Sequence, residues 1–126
     1  MATIEERNKL TESFAASRGK VWTSFEFFPP RTSAGVESLF QVISKLQAYN
    51  PLFVDFTWGA GGSTSDLTMT LCQRAISEYN LNSNMHLTCT GLDASNLDAI
   101  LDKCKDIGIR NILALRGDPP QGQGNC

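Results

Sequence analysis

The residues of this chain best suited to acid–base chemistry lie in the octapeptide 24–31, Ser-Phe-Glu-Phe-Phe-Pro-Pro-Arg. Its single carboxylate, Glu26, is flanked by Phe25, Phe27 and Phe28. Apolar surroundings disfavour the charged form of a carboxylate, so a Glu held among aromatic rings is a candidate general acid. The alternative is an edge-strand Glu that points to water while the aromatic side chains point inward. The octapeptide by itself favours neither interpretation.

His86, the only histidine of the chain, is a second candidate. An imidazole near the start of a predicted strand can donate a hydrogen bond to a cofactor, although a lone histidine there is more often structural. Further along, Arg116-Gly117-Asp118 is the tripeptide of adhesion ligands, but it follows a predicted buried strand and no secretory signal is recognisable. The local alternative is a strand-end Arg and a loop Asp that face a ligand, with Gly117 allowing close backbone approach.

The glycine-rich segment 59–64, Gly-Ala-Gly-Gly-Ser-Thr, lies between a predicted strand and a predicted helix. Backbone N–H groups at such a junction can bind phosphate. The segment has Thr64 where the dinucleotide-binding fingerprint has its third glycine, and it lacks the Lys of a P-loop. We therefore prefer an ordinary loop to a phosphate site.

Composition excludes several classes of function. A formal net charge of −2 gives no reason to expect nucleic-acid or membrane partners, and no apolar run approaches the ~20 residues that span a bilayer. With a single histidine and no C-x-x-C pair among the four cysteines, we expect no metal site. Cys72 and Cys104 fall on apolar positions of predicted helices, which is typical of reduced core thiols in a cytoplasmic protein.

Strands and helices alternate in the predicted secondary structure. Residues 1–20 are a charged N-terminal extension with helical turns around residues 4–14. Strands are predicted at residues 21–28, 52–57, 85–90 and 109–116. The intervening helices begin at Ser33, at residues 63–65 and at a capping box formed by residues 95–98, and 80–84 is a polar turn. The first and last of these helices stop at Asn50 and Gly108.

The strands predict the fold class. One face carries polar residues and the other apolar ones, whereas a doubly wound sheet covered on both faces would be apolar on both. A polar inner face with helices outside is typical of a (β/α)8 TIM barrel, and a complete barrel takes roughly 250 residues. We therefore predict a partial barrel, residues 21–126, with about the first four strands and three helices. The inner face is assigned Ser24, Glu26, Asp55, Thr57, His86, Thr88, Thr90 and Arg116; the helix-covered face is assigned Phe25, Phe27, Val54, Phe56, Leu87, Cys89, Leu113 and Leu115.

Four sequence blocks resemble methylenetetrahydrofolate reductase, in its eukaryotic form. They are residues 24–31, then Asp-Phe-Thr-Trp-Gly at 55–59, His-Leu-Thr-Cys at 86–89, and Ala-Leu-Arg-Gly-Asp-Pro at 114–119. The order of the blocks is that of the family, and the resemblance extends over about residues 21–120. The family is an FAD-containing (β/α)8 barrel, in agreement with the fold predicted from the strand pattern.

The resemblance implies a two-step hydride relay. NADPH or NADH reduces the flavin, and the reduced flavin passes hydride to 5,10-methylenetetrahydrofolate to give 5-methyltetrahydrofolate for methionine supply. Glu26 corresponds to the family's catalytic proton donor, and with Asp118 it would contact the folate. The nicotinamide cofactor is associated with Glu26, Phe27, Phe28, Pro29, Pro30 and Arg31. The positions that correspond to flavin contacts are Thr57, Trp58, His86, Arg116, Gly117 and Asp118.

The resemblance also implies that the remaining flavin contacts, much of the folate site and four strands lie beyond Cys126. We therefore expect the 126-residue chain alone neither to fold stably nor to turn over substrate, and the full-length protein to be a homo-oligomer. The alternative is a non-catalytic remnant that only pairs with partner chains through open strand edges.

Overall fold

The computed structural model describes residues 9–59 and 65–117. Within these ranges a first helix is followed by three strand–helix pairs and then by a fourth strand. A 3-10 turn at Gln47–Tyr49 extends the second helix. The helices are α1 (Leu10–Ala16), α2 (Ser33–Leu46), α3 (Ser65–Tyr79) and α4 (Ala94–Asp106). The strands are β1 (Ser24–Phe27), β2 (Phe53–Phe56), β3 (Ser83–Thr88) and β4 (Ile112–Leu115).

The four strands form one parallel sheet in the order β1-β2-β3-β4. A doubly wound sheet would reverse its strand order at a switch point, whereas barrels add each new strand beside the last. The register places Glu26 beside Asp55 and Asp55 beside Asn84, and two residues later it places His86 beside Leu113. The predicted partial (β/α)8 fold is confirmed.

The helix-covered face of the sheet holds the main core. Val54, Phe56 and Met85 are essentially buried there, and Phe40 of α2 and Leu71 of α3 pack in the same cluster. Each such side chain contributes roughly 1.5–3 kcal/mol when it leaves water. This layer therefore provides most of the hydrophobic stabilisation of the sheet.

The two cysteines predicted for the core lie there as free thiols. Cys72 of α3 and Cys104 of α4 are both buried, and burial raises the pKa of each thiol. A thiol held protonated in this way is a poor nucleophile. Their role is packing, as predicted.

The predicted face assignment is wrong for β4. Leu113 and Leu115 pair in register with His86 and Thr88, so they lie on the inner face, 42% and 36% exposed. Ile112 instead packs against the helix-covered core. The error arose because apolar residues fill both faces of this strand, so alternation alone could not set its phase.

The helix starts also differ from the prediction. Thr32, not Ser33, caps α2, because its extended backbone lets Oγ1 accept the Gly35 N–H at 3.0 Å. At α4 the cap is Asp93, which accepts from the Asn96 N–H and the Ser95 hydroxyl. These two hydrogen bonds hold the pKa of the Asp93 carboxyl below its usual value. The predicted ends of α2 near Asn50 and of α4 near Gly108 are confirmed. The proposed start of α3 at residues 63–64 lies outside the described residues.

The predicted polar turn at 80–84 is too long, because Ser83 and Asn84 belong to β3. Their side chains have partners within the fold: the Ser83 hydroxyl donates to the Cys72 carbonyl, and the Asn84 amide donates to Asp55. Polar residues thus enter a strand when the sheet satisfies their hydrogen bonds.

Helix α1 packs at the amino-terminal ends of the strands. Its Leu10 N–H donates to Asn111 Oδ1 at 2.9 Å, just before β4. Phe14 lies 5.3 Å from Trp22 and 5.9 Å from Phe53, ring centre to ring centre. Phe53 is two residues before Asp55 and on the same face, so this aromatic cluster forms the floor of the inner face. This helix begins at Leu10, and residues 4–8 of the predicted stretch 4–14 lie outside the described residues.

None of the helices in the two described ranges has the length and apolar character needed to cross a membrane.

The exposed inner-face leucines of β4 generate a prediction about association. Among the described residues β4 pairs only with β3, and an unpaired edge with apolar side chains is a template for another chain. We expect the purified chain to self-associate, and Leu113→Lys to lower its apparent mass in multi-angle light scattering.

Leu101→Lys is the matched control for Leu113→Lys. Leu101 is 39% exposed, nearly as much as Leu113, but it lies on helix α4 away from the sheet. An equal reduction in mass by both substitutions would show that association does not use the β4 edge.

Candidate functional site

Three side chains from adjacent strands meet on the inner face. Glu26 comes from β1, Asp55 from β2 and His86 from β3. His86 Nε2 lies 3.2 Å from Asp55 Oδ1 and 3.9 Å from Glu26 Oε2. One oxygen or nitrogen of each residue falls within 4.8 Å of those of the other two. The site is therefore a compact acid–imidazole cluster.

Asp55 is the buried carboxylate of this cluster, and His86 is buried beside it. Its side chain is 12% exposed, and Oδ1 accepts a 2.7 Å hydrogen bond from the Asn84 side-chain amide in addition to its contact with His86. A buried carboxylate is costly unless hydrogen bonds replace its lost water. The two β3 side chains supply that replacement.

Glu26 is the accessible member. Its side chain is 52% exposed. The aromatic neighbours in sequence do not surround it, because Phe25 and Phe27 alternate to the opposite face and Phe28 is 75% exposed. Enclosure by aromatic rings, one of the two alternatives that the octapeptide left open, is therefore not what the structure shows, and the open inner face leaves this carboxyl accessible to a ligand.

Two of the predicted cofactor-binding side chains pack on the helix side instead. The ring centre of Phe27 lies 5.8 Å from that of Phe56, and Trp58 is 8% exposed within the main core. Only their backbone groups can face a ligand on the inner side. By contrast, Phe28 and Arg31 are exposed, while Pro29 and Pro30 are half-buried.

The remaining predicted contacts gather at the carboxyl ends of the strands. Thr57 follows β2, and Arg116 and Gly117 follow β4. Gly117 has a φ of +80°, and a Cβ there would lie 3.1 Å from Cβ and Cγ2 of Thr88. The Thr90 hydroxyl donates to the Arg116 carbonyl. This loop is therefore held closely against β3; Asp118 and residues 60–64 lie outside the described part.

Sequence reasoning placed Asp55 on the polar face but gave it no role, and it missed Asn84. The missing signal was register: only the β2–β3 pairing brings Asn84 beside Asp55. The expectation of no metal site rested on cysteine spacing, which cannot detect donors on separate strands. The cluster has the donor types that bind a divalent cation, although Asp55 Oδ1 already accepts hydrogen bonds.

The geometry supports acid–base chemistry at an open, polar surface. A ligand resting on the carboxyl ends of β1–β4 would meet a carboxyl, an imidazole and hydroxyl groups, while Phe53 and Phe14 close the floor beneath. Carboxyl-end placement of functional groups is the general rule for barrel enzymes.

Known proteins match the chain over most of its length. The family model for methylenetetrahydrofolate reductase matches residues 9–126. "Methylenetetrahydrofolate reductase (NADH) 1" of Arabidopsis thaliana is 45% identical over 123 residues, which cover 98% of this chain and 20% of the relative. The protein of the same name in Zea mays is 49% identical over 109 residues, 86% of this chain and 18% of that relative.

A bacterial relative, "5,10-methylenetetrahydrofolate reductase" of Escherichia coli, is 38% identical over 119 residues, 94% of this chain and 40% of its own length. The chain thus spans about a fifth of the plant relatives. The match of the family model to residues 9–126, which include all described residues, shows that this chain belongs to the methylenetetrahydrofolate reductase family.

Proposed function

We propose that this chain contributes the proton donor and part of the flavin site to an enzyme that reduces 5,10-methylenetetrahydrofolate to 5-methyltetrahydrofolate. The observation that carries the proposal is the position of Glu26: an accessible carboxyl on the inner face, 3.9 Å from His86 Nε2, at the carboxyl end of β1. Family membership supplies the reaction, and the product would serve methionine supply.

The described residues suit FAD, which supplies two-electron hydride transfer when bound. The carboxyl ends of the strands offer a histidine ring and threonine hydroxyls as hydrogen-bonding groups, and a guanidinium, which pairs well with phosphate. The residues we assign to it are Thr57, His86, Arg116 and Gly117, with the backbone of Trp58. Asp118 stays a prediction for the flavin and the folate.

Glu26 would hold its proton toward the folate and deliver it to the nitrogen that leaves when the five-membered ring opens. General acids of this kind typically contribute 10²–10⁴-fold to rate. The half-exposed carboxyl can reach a substrate without displacing Asp55, whose oxygen is occupied by Asn84 and His86.

A hybrid enzyme tests this role: the present chain replaces the matching segment of the Arabidopsis relative. In the hybrid, we expect Glu26→Gln to lower folate reduction by at least about 10²-fold, because Gln keeps the size of Glu but cannot donate an acidic proton. Reduction of the flavin by NADH, which needs no such proton, should survive. Stopped-flow absorbance measures both half-reactions separately.

The unsubstituted hybrid is the control for folding and FAD content. Equal loss of both half-reactions in Glu26→Gln, or retention of both, would refute the acid role of Glu26.

The Gly117 geometry generates a second prediction. In the same hybrid, Gly117→Ala should weaken FAD binding by about tenfold or more, because the added methyl group meets Thr88 and displaces the loop that carries Arg116. Equilibrium dialysis of FAD gives the affinity.

Gly91→Ala provides the matched control, since Gly91 has a similar φ of +75° but no atom lies within 4 Å of the position that a Cβ would take there. If both substitutions weaken FAD binding equally, the cause is backbone strain and not the contact with Thr88.

For the hydride donor we propose NADH, because two plant relatives are named for it; NADPH is the alternative, and rates with each cofactor in the hybrid decide between them. The nicotinamide contacts assigned to residues 26–31 remain a proposal. We further propose a cytoplasmic enzyme that assembles with copies of itself and has no nucleic-acid or membrane partner. The buried free thiols fit a reducing compartment.

The open β4 edge favours a second candidate: a chain that acts only by association with other chains. FAD retention distinguishes the two. We expect activity to require residues beyond this chain, so the chain alone should show neither stoichiometric FAD absorbance nor NADH oxidation. Finding both would overturn that expectation.

A further inference from the structure

We infer that Asp55 is a positioning residue, which fixes the imidazole of His86 for the flavin. The inference deepens the proposed function and rests on it for the identity of the ligand. It starts from the fact that Asp55 is nearly buried, on a face whose neighbouring acid, Glu26, is half-exposed. A carboxylate in that position requires permanent hydrogen-bond donors.

Both side chains that contact the Asp55 carboxylate come from β3. The Asn84 amide donates to Asp55 Oδ1 at 2.7 Å, and His86 Nε2 lies 3.2 Å from the same oxygen. An ionised carboxylate only accepts hydrogen bonds, so the proton of this contact belongs to Nε2. The bond that one ring nitrogen makes determines the role of the other. In the neutral ring, Nδ1 is therefore the nitrogen available as an acceptor to a ligand.

Glu26 cannot substitute for Asp55 in this task. Its Oε2 is 3.9 Å from Nε2, beyond normal hydrogen-bond length, and its side chain is exposed. The two acids thus have different roles: Asp55 orients the imidazole of His86, while the Glu26 carboxyl remains available to the substrate. The same three groups could instead bind a divalent cation, and that outcome is included in the test.

The first experiment uses the hybrid, with the histidine label confined by segmental labelling to the present chain, in which His86 is the only histidine. We expect a slowly exchanging, downfield Nε2–H resonance in ¹H–¹⁵N spectra of histidine-labelled protein. Asp55→Ala should abolish it and Glu26→Gln should leave it in place. A resonance that is absent from the folded wild type, that survives Asp55→Ala, or that EDTA alters by removing a bound metal would overturn the inference.

The second experiment measures FAD affinity in the hybrid by a double-mutant cycle. Asp55→Ala should weaken binding by about tenfold or more. In a His86→Ala background the same substitution should change affinity by less than about twofold, because Asp55 acts through His86. Equal effects of Asp55→Ala in both backgrounds would contradict a positioning role.

Ser83→Ala is the matched structural control. Ser83 is fully buried on the same strand, and its hydroxyl donates to the Cys72 carbonyl on the opposite face. The Ser83→Ala substitution removes a buried hydrogen bond of β3 without contacting the cluster. The FAD affinity of this variant should therefore stay within about twofold of that of the unsubstituted hybrid. A hybrid that binds no FAD in any form would refute the proposed function, while the His86 resonance would still decide the Asp55 contact.

Discussion

The inner face of this sheet depends on one buried carboxylate and the two β3 side chains that accompany it. Asp55 can leave water because the Asn84 amide donates to it and His86 Nε2 lies within hydrogen-bond distance, and both contacts require the observed register of β2 and β3. A shift of one residue would turn these side chains to the helix side and leave a carboxylate without partners. The polar cluster therefore specifies the register that the apolar core alone would constrain less tightly.

The opposite face supplies stability, and the division between the two faces explains how the site stays open. Aromatic and aliphatic residues from β1, β2 and β3 pack against α2, α3 and α4 on one side. The inner side carries the acid–imidazole cluster, the floor around Phe53 and the exposed leucines of β4. Because packing on one face stabilises the sheet, the other face can carry polar side chains that bind a ligand. Barrel folds accommodate different reactions on similar scaffolds in this way.

Much of this arrangement could be predicted from sequence, and the failures have physical causes. Alternating strands and helices indicated the fold class, because periodicity reports local geometry directly. Strand phase failed at β4, where Leu113 is apolar but faces inward. The octapeptide left open whether aromatic rings enclose Glu26, and the structure shows that they do not, because neighbours in a strand point to opposite faces. Asn84 and the role of Asp55 depend on pairing between strands, and no local pattern encodes which residues become neighbours across a sheet. The four sequence blocks indicated the family only through resemblance.

Helix α1 has a consequence for the order in which the chain folds. Its Leu10 N–H bonds to Asn111, 101 residues later, so the contact joins the first described helix to the last strand. Contacts of such long sequence separation form late, because the loop they close costs entropy that only the assembled sheet can repay. During synthesis the Leu10–Asn111 bond can therefore form only after residue 111 has left the ribosome, whereas the contacts of Phe14 with Trp22 and Phe53 join residues that are made much earlier. The first described helix thus completes its contacts only when the segment before the last described strand is in place.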